Sequence, residues 1–470
     1  MLSKNYKYFF ILVVLVSGFN ILWGIWDVPV QEWDESRHGV NAFEMLSNHR
    51  WYANYYDGKP DYWNLKPPLG SWLILTSYSI FGVNPFSLRF FSSLSALVLV
   101  VLVMIFAKRK FGSEVSLLSG FVLSTTISFV HFHGARTGDF DAIFTLLVFL
   151  SLLFADKSVE SKNYFYLSVL VFPFSFLLKS FASIMVILVI AFYYFYGKMY
   201  KKLKIYEYFI LFLIATLPIL FWAYHRWQFD GIAFFERMIS YDVIERGTKS
   251  IEGHSQFILF YAEPLFLKFL PWSLLLIFVP FYFIYLSFSR EREQFKIGLS
   301  LKGILAQGFV WIYLVSVLLP AFLVKTKTEW YVMPVFPILS IIVSCFIVDV
   351  LYKNLDGFWM KFRNFLKVGI WFFIIIAEIF TLIFTLNSEF RVFQYKSVDF
   401  EGAKKEKELQ KILTSDSIPA GAKVGLVGAN ITQSYMFLSR CVKRYTLTTQ
   451  TNEADYLIMA EDLKLIKLDK

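Results

Sequence analysis

Charge and cysteine are what this chain has least of. Only 17% of its 470 residues are Asp, Glu, Lys or Arg, and Cys345 and Cys441 are its two cysteines. So few charges, with 57% hydrophobic residues, 20% aromatics and a mean hydropathy of +0.54, exclude an ordinary soluble domain. One cysteine falls in an apolar run and the other in the C-terminal tail, which leaves no disulfide framework and no cysteine-based metal site. The first apolar run, Tyr8–Trp26, lacks a small-x-small cleavage site and leads into Trp-rich sequence. It reads as an uncleaved span rather than a signal peptide. Internal repeats, low-complexity tracts and flexible linkers are also missing, so solenoid architectures drop out.

What the chain does have is apolar runs of spanning length. A helix rising about 1.5 Å per residue needs roughly 20 such residues to cross the hydrocarbon layer. Besides the first run, Phe90–Ala107, Val115–Ala135, Ser180–Gly197, Phe269–Ser289, Gly303–Val324, Trp330–Val348 and Val368–Asn387 qualify, and Ala142–Ala155 and Asn163–Leu178 are shorter. The expectation is an all-α polytopic membrane protein of about 11 transmembrane helices. The net charge of +10 does not indicate nucleic acid, because the basic residues recur in every second loop. Lys108-Arg109-Lys110, Lys198 to Lys204 and Arg290 to Lys296 are examples. This positive-inside pattern places the N-terminus in the cytoplasm and, for an odd number of spans, the C-terminus outside.

The other loops then face outward, and they carry the polar chemistry. Asp27 to Lys66 is long and rich in Trp, Tyr, Asp, Glu, Arg and His, and Pro67–Leu88 reads as an interfacial helix before the second span. Residues 1–387 form the expected transmembrane domain, and 388–470 a small soluble extracytoplasmic α/β domain. Within the latter, Asp399–Leu413 reads as a helix, and Lys423–Val427 and Asp455–Met459 as strands.

Four outward motifs could carry chemistry. Asp34 and Glu35 beside Arg37 offer a general base and a phosphate clamp, although charges also commonly flank spans. Lys66 is followed by Pro67 and Pro68, which stiffen the chain behind it as a phosphate-binding lysine needs; a snorkelling lysine is the bland alternative. Arg136-Thr-Gly-Asp139-Phe-Asp141 sets two acids beside an arginine. Helix capping accounts for one acid more easily than for two. Lys325-Thr-Lys327-Thr-Glu329-Trp-Tyr331, followed by Pro334 and Pro337, marks an interface and a distorted helix. Acids and cations on one side of the bilayer suit a site for a lipid phosphate.

In this order, Asp-Glu-x-Arg, Lys-Pro-Pro-Leu, Arg-Thr-Gly-Asp-x-Asp and Lys-x-x-x-Trp-Tyr-x-x-Pro-x-x-Pro resemble the motifs of bacterial GT-C glycosyltransferases. The similar groups are the dolichyl-phosphate-mannose-protein mannosyltransferases and the lipid A aminoarabinose transferases. Leu178-Lys179-Ser180, Gly253-His254 and Pro271-Trp272 add to the resemblance, which covers roughly Met1 to Asn387. It implies transfer of a sugar from a polyprenyl-phosphate monosaccharide to a lipid, glycan or protein acceptor on the outer side of the membrane. It implies Asp34 as the catalytic carboxylate of the first loop, and Asp141, with Asp139 beside it, as the acid of the second. Arg37, Lys66, Arg136, Lys327 and Tyr331 become candidate donor-phosphate ligands, and His254 and Lys179 further site candidates. In the aminoarabinose transferases a histidine like His254 shares a metal with an acid just before Lys-Pro-Pro. Leu65 stands there, preceded by Asn64, so the expectation is no cofactor, no stoichiometric zinc and activity that survives chelation.

Chemistry alone supports the same reading. Departure of a lipid phosphate from an anomeric carbon gathers charge on the phosphate oxygens, where lysine or arginine stabilises the transition state. A carboxylate such as Asp34 can take the proton of an acceptor hydroxyl, and in-line displacement inverts the anomeric centre. The competing classes are a glycan polymerase or ligase using polyprenyl diphosphates, a lipid-linked sugar transporter or flippase, and a membrane scaffold. Glu378, inside a span, is the residue that most favours a transporter; two unmatched halves disfavour it.

Overall fold

A computed structural model of the chain describes residues 5–251, 258–288, 307–352, 357–387 and 400–468. Helix α1 (Tyr6–Leu22) is apolar and ends in a turn at Gly24, whose φ of +69° suits glycine. Helix α2 (Asp34–Asn48) follows in the loop after α1. A two-residue hairpin comes next, β1 (Tyr55–Tyr56) and β2 (Lys59–Pro60). Helix α3 (Leu69–Phe81) stands where the interfacial helix was expected, and α4 (Pro85–Phe111) opens on a capping box. The side chain of Asn84 accepts from the Ser87 amide at 2.9 Å, Ser87 Oγ accepts from the Asn84 amide at 3.1 Å, and Pro85 occupies the first helical position.

At its other end α4 stops at Gly112 and reverses into α5 (Ser113–Ser124). Lys108, Arg109 and Lys110 crowd the last turn of α4, where cations meet the negative end of the helix dipole. Arg109 and Lys110 each bind Asp156 at 2.8 Å, which fastens this turn to the end of α7 (Asp141–Ser158).

The run Val115–Ala135 is not one helix. Helix α5 has only 12 residues, and the Thr125 and Thr126 hydroxyls donate back to the Phe121 and Val122 carbonyls where it stops. After the single turn α6 (Ile127–Val130), residues 131–140 run as buried irregular chain. Composition could not reveal this break, because the segment is apolar enough to span. Helices α8 (Asn163–Lys179) and α9 (Ile184–Tyr196) are joined by a tight turn at Ser180, whose φ is +43°.

Among the described residues, five helical segments are long and apolar enough to cross a membrane: Pro85–Phe111, Asn163–Tyr196, Ile205–Asp230, Glu329–Leu351 and Val368–Leu386. The pair Leu259–Leu267 and Trp272–Tyr282, bent by 107°, makes a sixth if it is one span. Tyr6–Leu22, Ser113–Ser124 and Gly308–Leu323 are shorter apolar helices that the expectation of about 11 spans also counted. That expectation further divides Asn163–Tyr196 in two at Ser180. The outer faces agree with a lipid surround. Phe209, Phe212, Leu220 and Phe221 stand more than half exposed along Ile205–Asp230, surface that lipid covers at no hydrophobic cost. Glu378, the transporter candidate, accepts from Asn20 of α1 at 3.3 Å, so it serves a helix–helix contact.

The C-terminal unit combines helix Phe400–Leu413 with strands β3 (Lys423–Val427), β4 (Thr446–Thr448), β5 (Tyr456–Met459) and β6 (Lys464–Lys467). The sheet order is β4-β3-β5-β6, parallel except for the last pair. This unit rests on α2. The Gln410 amide accepts from the Val30 N–H at 2.8 Å and donates to the Val30 carbonyl at 3.0 Å, as a strand neighbour would. Arg440 reaches Asp57 at 2.7 Å and Glu44 at 3.3 Å. Gly39 of α2 lies flat against the Phe437 ring, where a Cβ would stand 2.7 Å from the ring edge. Gly39→Val is therefore expected to loosen the C-terminal unit without preventing membrane insertion. Limited proteolysis of solubilised protein should release residues 400–468 faster from the variant than from wild type.

Candidate active site

Helix α2 starts on strained backbone. Trp33 has a φ of +66°, rare for a bulky residue, and the first turn presents Asp34 and Glu35 at the positive end of the helix dipole. The two acids then part company. Glu35 points inward and is wholly buried: Arg89 of α4 grips it with Nε at 2.6 Å and Nη2 at 2.9 Å. Its oxygens also accept from the backbone N–H groups of Gln31 and Gly138, each at 2.8 Å. Glu35 therefore ties the first loop, α4 and the second loop together, and the catalytic role expected of it is not compatible with that position.

Asp34 points the other way. Its Oδ1 lies 3.4 Å from Lys66 Nζ, and both side chains are 24% exposed, so this pair forms the open mouth of the site. Burial raises the Asp34 pKa, but the Lys66 ammonium overrides it and holds the carboxyl well below the usual range. Lys66 also meets His38 Nε2 at 3.2 Å. His38 Nδ1 lies 3.3 Å from the Gly138 carbonyl, which can only accept, so Nδ1 carries the proton and Nε2 receives the lysine. Burial, then Lys66, push the His38 pKa down to about 3, which keeps the ring neutral. The ring stacks on Phe140 at 3.9 Å, and Phe140 in turn lies against Gly70, where a Cβ would come within 2.2 Å. The lysine backbone is fixed as well: Asn54 Nδ2 donates to the Asn64 and Lys66 carbonyls at 3.2 and 2.9 Å. The stiffening expected of the two prolines is shared with this asparagine.

The second loop closes the site from below. His133 has a φ of +47°, and Gly134 follows with no room for a side chain, since a Cβ would fall 1.9 Å from the Phe129 carbonyl oxygen. This turn brings the His133 ring to the buried Asp139, with Nδ1 3.3 Å from Oδ2. Burial raises the Asp139 pKa, but the nearby imidazole prevails and lowers it to about 2. For His133 burial pulls down, and the Asp139 carboxylate outweighs it, so its pKa is raised. Asp141, the first residue of α7, is paired separately with Lys179 at 2.5 Å. The ligand atoms of Asp34, His133 and Asp139 all lie within 4.8 Å of one another.

Other expected ligands lie in the scaffold. Arg37 grips Asp61 with two bonds of 2.8 Å and is held between the Tyr56 and Trp63 rings, so it is not presented to a phosphate. Arg136 is buried and donates to the Asn20 carbonyl at 3.0 Å and, more weakly, to those of Ile21 and Thr385. Lys327 donates to the Phe322 and Val324 carbonyls at the end of the preceding helix. Tyr331 accepts from Arg246 at 3.3 Å. His254 lies outside the described residues. Sequence reasoning missed His38, His133 and Asp61 as working residues; their signal was the density of polar side chains in two loops. Beyond His133, which stacks on Trp330 at 3.8 Å, a cavity of about 240 Å³ opens, walled by Phe132, Trp330, Met333 and Phe336. Lys268 and Glu329 are ion-paired at its edge.

The sequence profile of the family described as dolichyl-phosphate-mannose-protein mannosyltransferase matches residues 65–222. An uncharacterised protein of Aquifex aeolicus (strain VF5) is 26% identical over 365 residues, 77% of this chain and 65% of that protein. The undecaprenyl phosphate-alpha-4-amino-4-deoxy-L-arabinose arabinosyl transferase of Pseudomonas savastanoi pv. phaseolicola (strain 1448A / Race 6) is 30% identical over 145 residues. That stretch is 31% of this chain and 25% of the relative. The chain thus spans less than two thirds of the length of these two relatives. The crystal structure of ArnT from Cupriavidus metallidurans bound to undecaprenyl phosphate superposes with a TM-score of 0.62 at 17% identity, covering 96% of this chain and 87% of that one. The fold is that of a polytopic GT-C membrane protein. The resemblance to GT-C glycosyltransferases drawn from the loop motifs is borne out by these likenesses.

Because Arg89 would be left as an uncompensated buried cation, Glu35→Gln is expected to destabilise the protein by about 3–5 kcal/mol. A thermal melt in detergent should show the loss before any assay of activity.

Proposed function

We propose that the chain is an inverting glycosyltransferase that moves a monosaccharide from a polyprenyl-phosphate-linked donor to a lipid, glycan or protein acceptor. The alternating basic loops support a reaction at the outer face of a bacterial cytoplasmic membrane, with the N-terminus inside and the C-terminus outside. Membrane lipids surround the protein, and no nucleic acid takes part. The observation that carries this reading is the half-open pair of Asp34 and Lys66, an ionised carboxylate beside an ammonium in a cluster that is otherwise buried.

In this reading Lys66 receives the donor phosphate. His38 and Phe140 aim its ammonium, and charge gathering on the phosphate oxygens as the anomeric bond breaks is stabilised there. Asp34 faces the acceptor and takes its hydroxyl proton as the new glycosidic bond forms. The pKa of Asp34 is low, which keeps it ionised but makes it a weak base, so its negative charge beside the oxocarbenium-like sugar supplies part of its effect. The aromatic walls around Trp330 suit the apolar face of a sugar ring. Asp141 and Lys179, paired to each other, complete the floor of the site. A transporter finds less support, because Glu378 is engaged by Asn20. A polymerase or ligase using a diphosphate donor differs in its leaving group and is separated by the choice of donor.

Two variants test the roles. Asp34→Asn is expected to slow single-turnover transfer from a polyprenyl-phosphate sugar by roughly 10²–10⁴-fold with donor affinity kept. Near-normal transfer would remove Asp34 from the mechanism.

Lys66→Ala should instead weaken donor binding by about 1.5–3 kcal/mol, the range of a charge-assisted contact. Unchanged donor affinity, measured by titration with the lipid donor, would remove the lysine from the phosphate site.

A further inference from the structure

The cavity beyond His133 joins two kinds of surface. Phe132, Trp330, Met333 and Phe336 give it apolar wall, and Lys268 meets Glu329 as an ion pair at its edge. That edge is well supported. The Lys268 ammonium stands 4.8 Å from the centre of the Phe132 ring, and the Lys268 carbonyl accepts from the Ser128 N–H at 3.2 Å. Glu329 opens the tight 3₁₀ turn Glu329–Val335. At about 240 Å³ the cavity falls below the roughly 300–1,000 Å³ of pockets that take drug-sized ligands, so one small ring is its scale. His133 is the wall it shares with the acid–lysine pair. Its ring lines the cavity, and one of its nitrogens lies within 4.8 Å of an Asp34 carboxylate oxygen.

We propose that this cavity receives the sugar ring of the substrate and selects an uncharged, hydroxyl-bearing ring over amino sugars and uronic acids. The proposal rests on the transferase reading and gives it a substrate class. An aromatic wall suits the C–H face of a sugar ring, while an ammonium beside a carboxylate sets donors next to acceptors, as two neighbouring hydroxyls require.

Charge balance decides the class. Lys268 has Glu329, and His133 has Asp139. A ring carrying its own ammonium or carboxylate would give up water there and find each opposite charge already matched, a costly exchange. Glu263 lies 3.7 Å from Lys268, but it is half exposed and outside the cavity wall, so water screens it. An acyl chain fits worse for the opposite reason: it would strip water from the ion pair and return no hydrogen bond.

Methyl glycosides carry no lipid phosphate, so their binding is read whether or not the chain transfers sugar. The full chain in lipid nanodiscs, free of glycoside detergents, is mixed with the methyl glycosides of glucose, galactose and mannose, and with those of glucosamine and glucuronic acid. Saturation-transfer NMR then reports which are bound. At least one neutral glycoside should bind, and both charged ones at least about tenfold more weakly, the scale of one unmatched charged group. Trp330→Leu should abolish the signal. Lys268→Met leaves Glu329 unmatched and should turn the preference toward the glucosamine glycoside, and Glu329→Gln should turn it toward the glucuronide. Loss of folding would weaken all the glycosides alike, so these opposite shifts belong to charge. Glu329→Gln also keeps the shape of a partly exposed side chain, and a thermal melt checks its fold. Wild type that binds no neutral glycoside, or binds a charged one as tightly, overturns the proposal. So does binding that survives Trp330→Leu, or a preference that neither charge variant shifts. Polyprenyl-phosphate sugars then separate the two readings: the expected glycoside binding with no transfer overturns the transferase alone, and transfer without glycoside binding overturns the cavity's role alone.

Discussion

Glu35 and Arg89 meet where no water reaches, and much of the site hangs from that contact. A carboxylate and a guanidinium both at 0% side-chain exposure carry a large desolvation cost, offset here by a complete set of partners. Arg89 adds the carbonyls of Ile25, Val28 and Pro29, the strand of chain leaving α1. Glu35 adds the amide of Gly138. One ion pair thus joins the end of α1, the start of α2, the body of α4 and the loop that carries Asp139. Turning Glu35 inward also turns its neighbour Asp34 outward, since successive positions on a helix face different ways.

The same economy runs through the other loops around the site. Most cations there are committed to holding chain in place: Arg37 to Asp61, Arg136 to carbonyls of α1, Lys327 to the end of a helix. Few charges are left for chemistry, and those few are surrounded by rigid neighbours. Lys66 illustrates this, with its backbone held by Asn54 and its head by His38, whose ring is itself held by Phe140 and Gly70. A long flexible side chain becomes a fixed charge by such support.

Much of this was legible in the order of residues. The strands Lys423–Val427 and Tyr456–Met459 and the helix Phe400–Leu413 follow from hydropathy and turn residues, and Asp34 and Lys66 fall in one long loop region between apolar runs. What could not be read is which acid owns which cation. Arg89 is 54 positions from Glu35 and sits in an apolar run, where nothing local marks it as a partner. Arg37 and Arg136 look the same in sequence as arginines that bind phosphate; only the folded chain shows them occupied. His133 was visible beside Asp139, but its approach depends on a left-handed turn, and pattern does not encode such a turn strongly. The break after Ser124 was hidden for a related reason: apolar composition gives length, while the hydroxyls of Thr125 and Thr126 decide where the helix ends.

The C-terminal unit rests its helical segments on α2 and the chain just before it, although more than three hundred residues separate them in sequence. On the ribosome, α2 and its Asp34 emerge well before Gln410 and Phe437. In the interval Val30 lacks the Gln410 neighbour for its backbone groups, and Gly39 shows a bare helix face. The first loop reaches its final form only when residues 400–468 have folded onto it. Order of synthesis and order of completion run in opposite directions here, so an unfinished chain carries every side chain of the cluster in an unbraced frame.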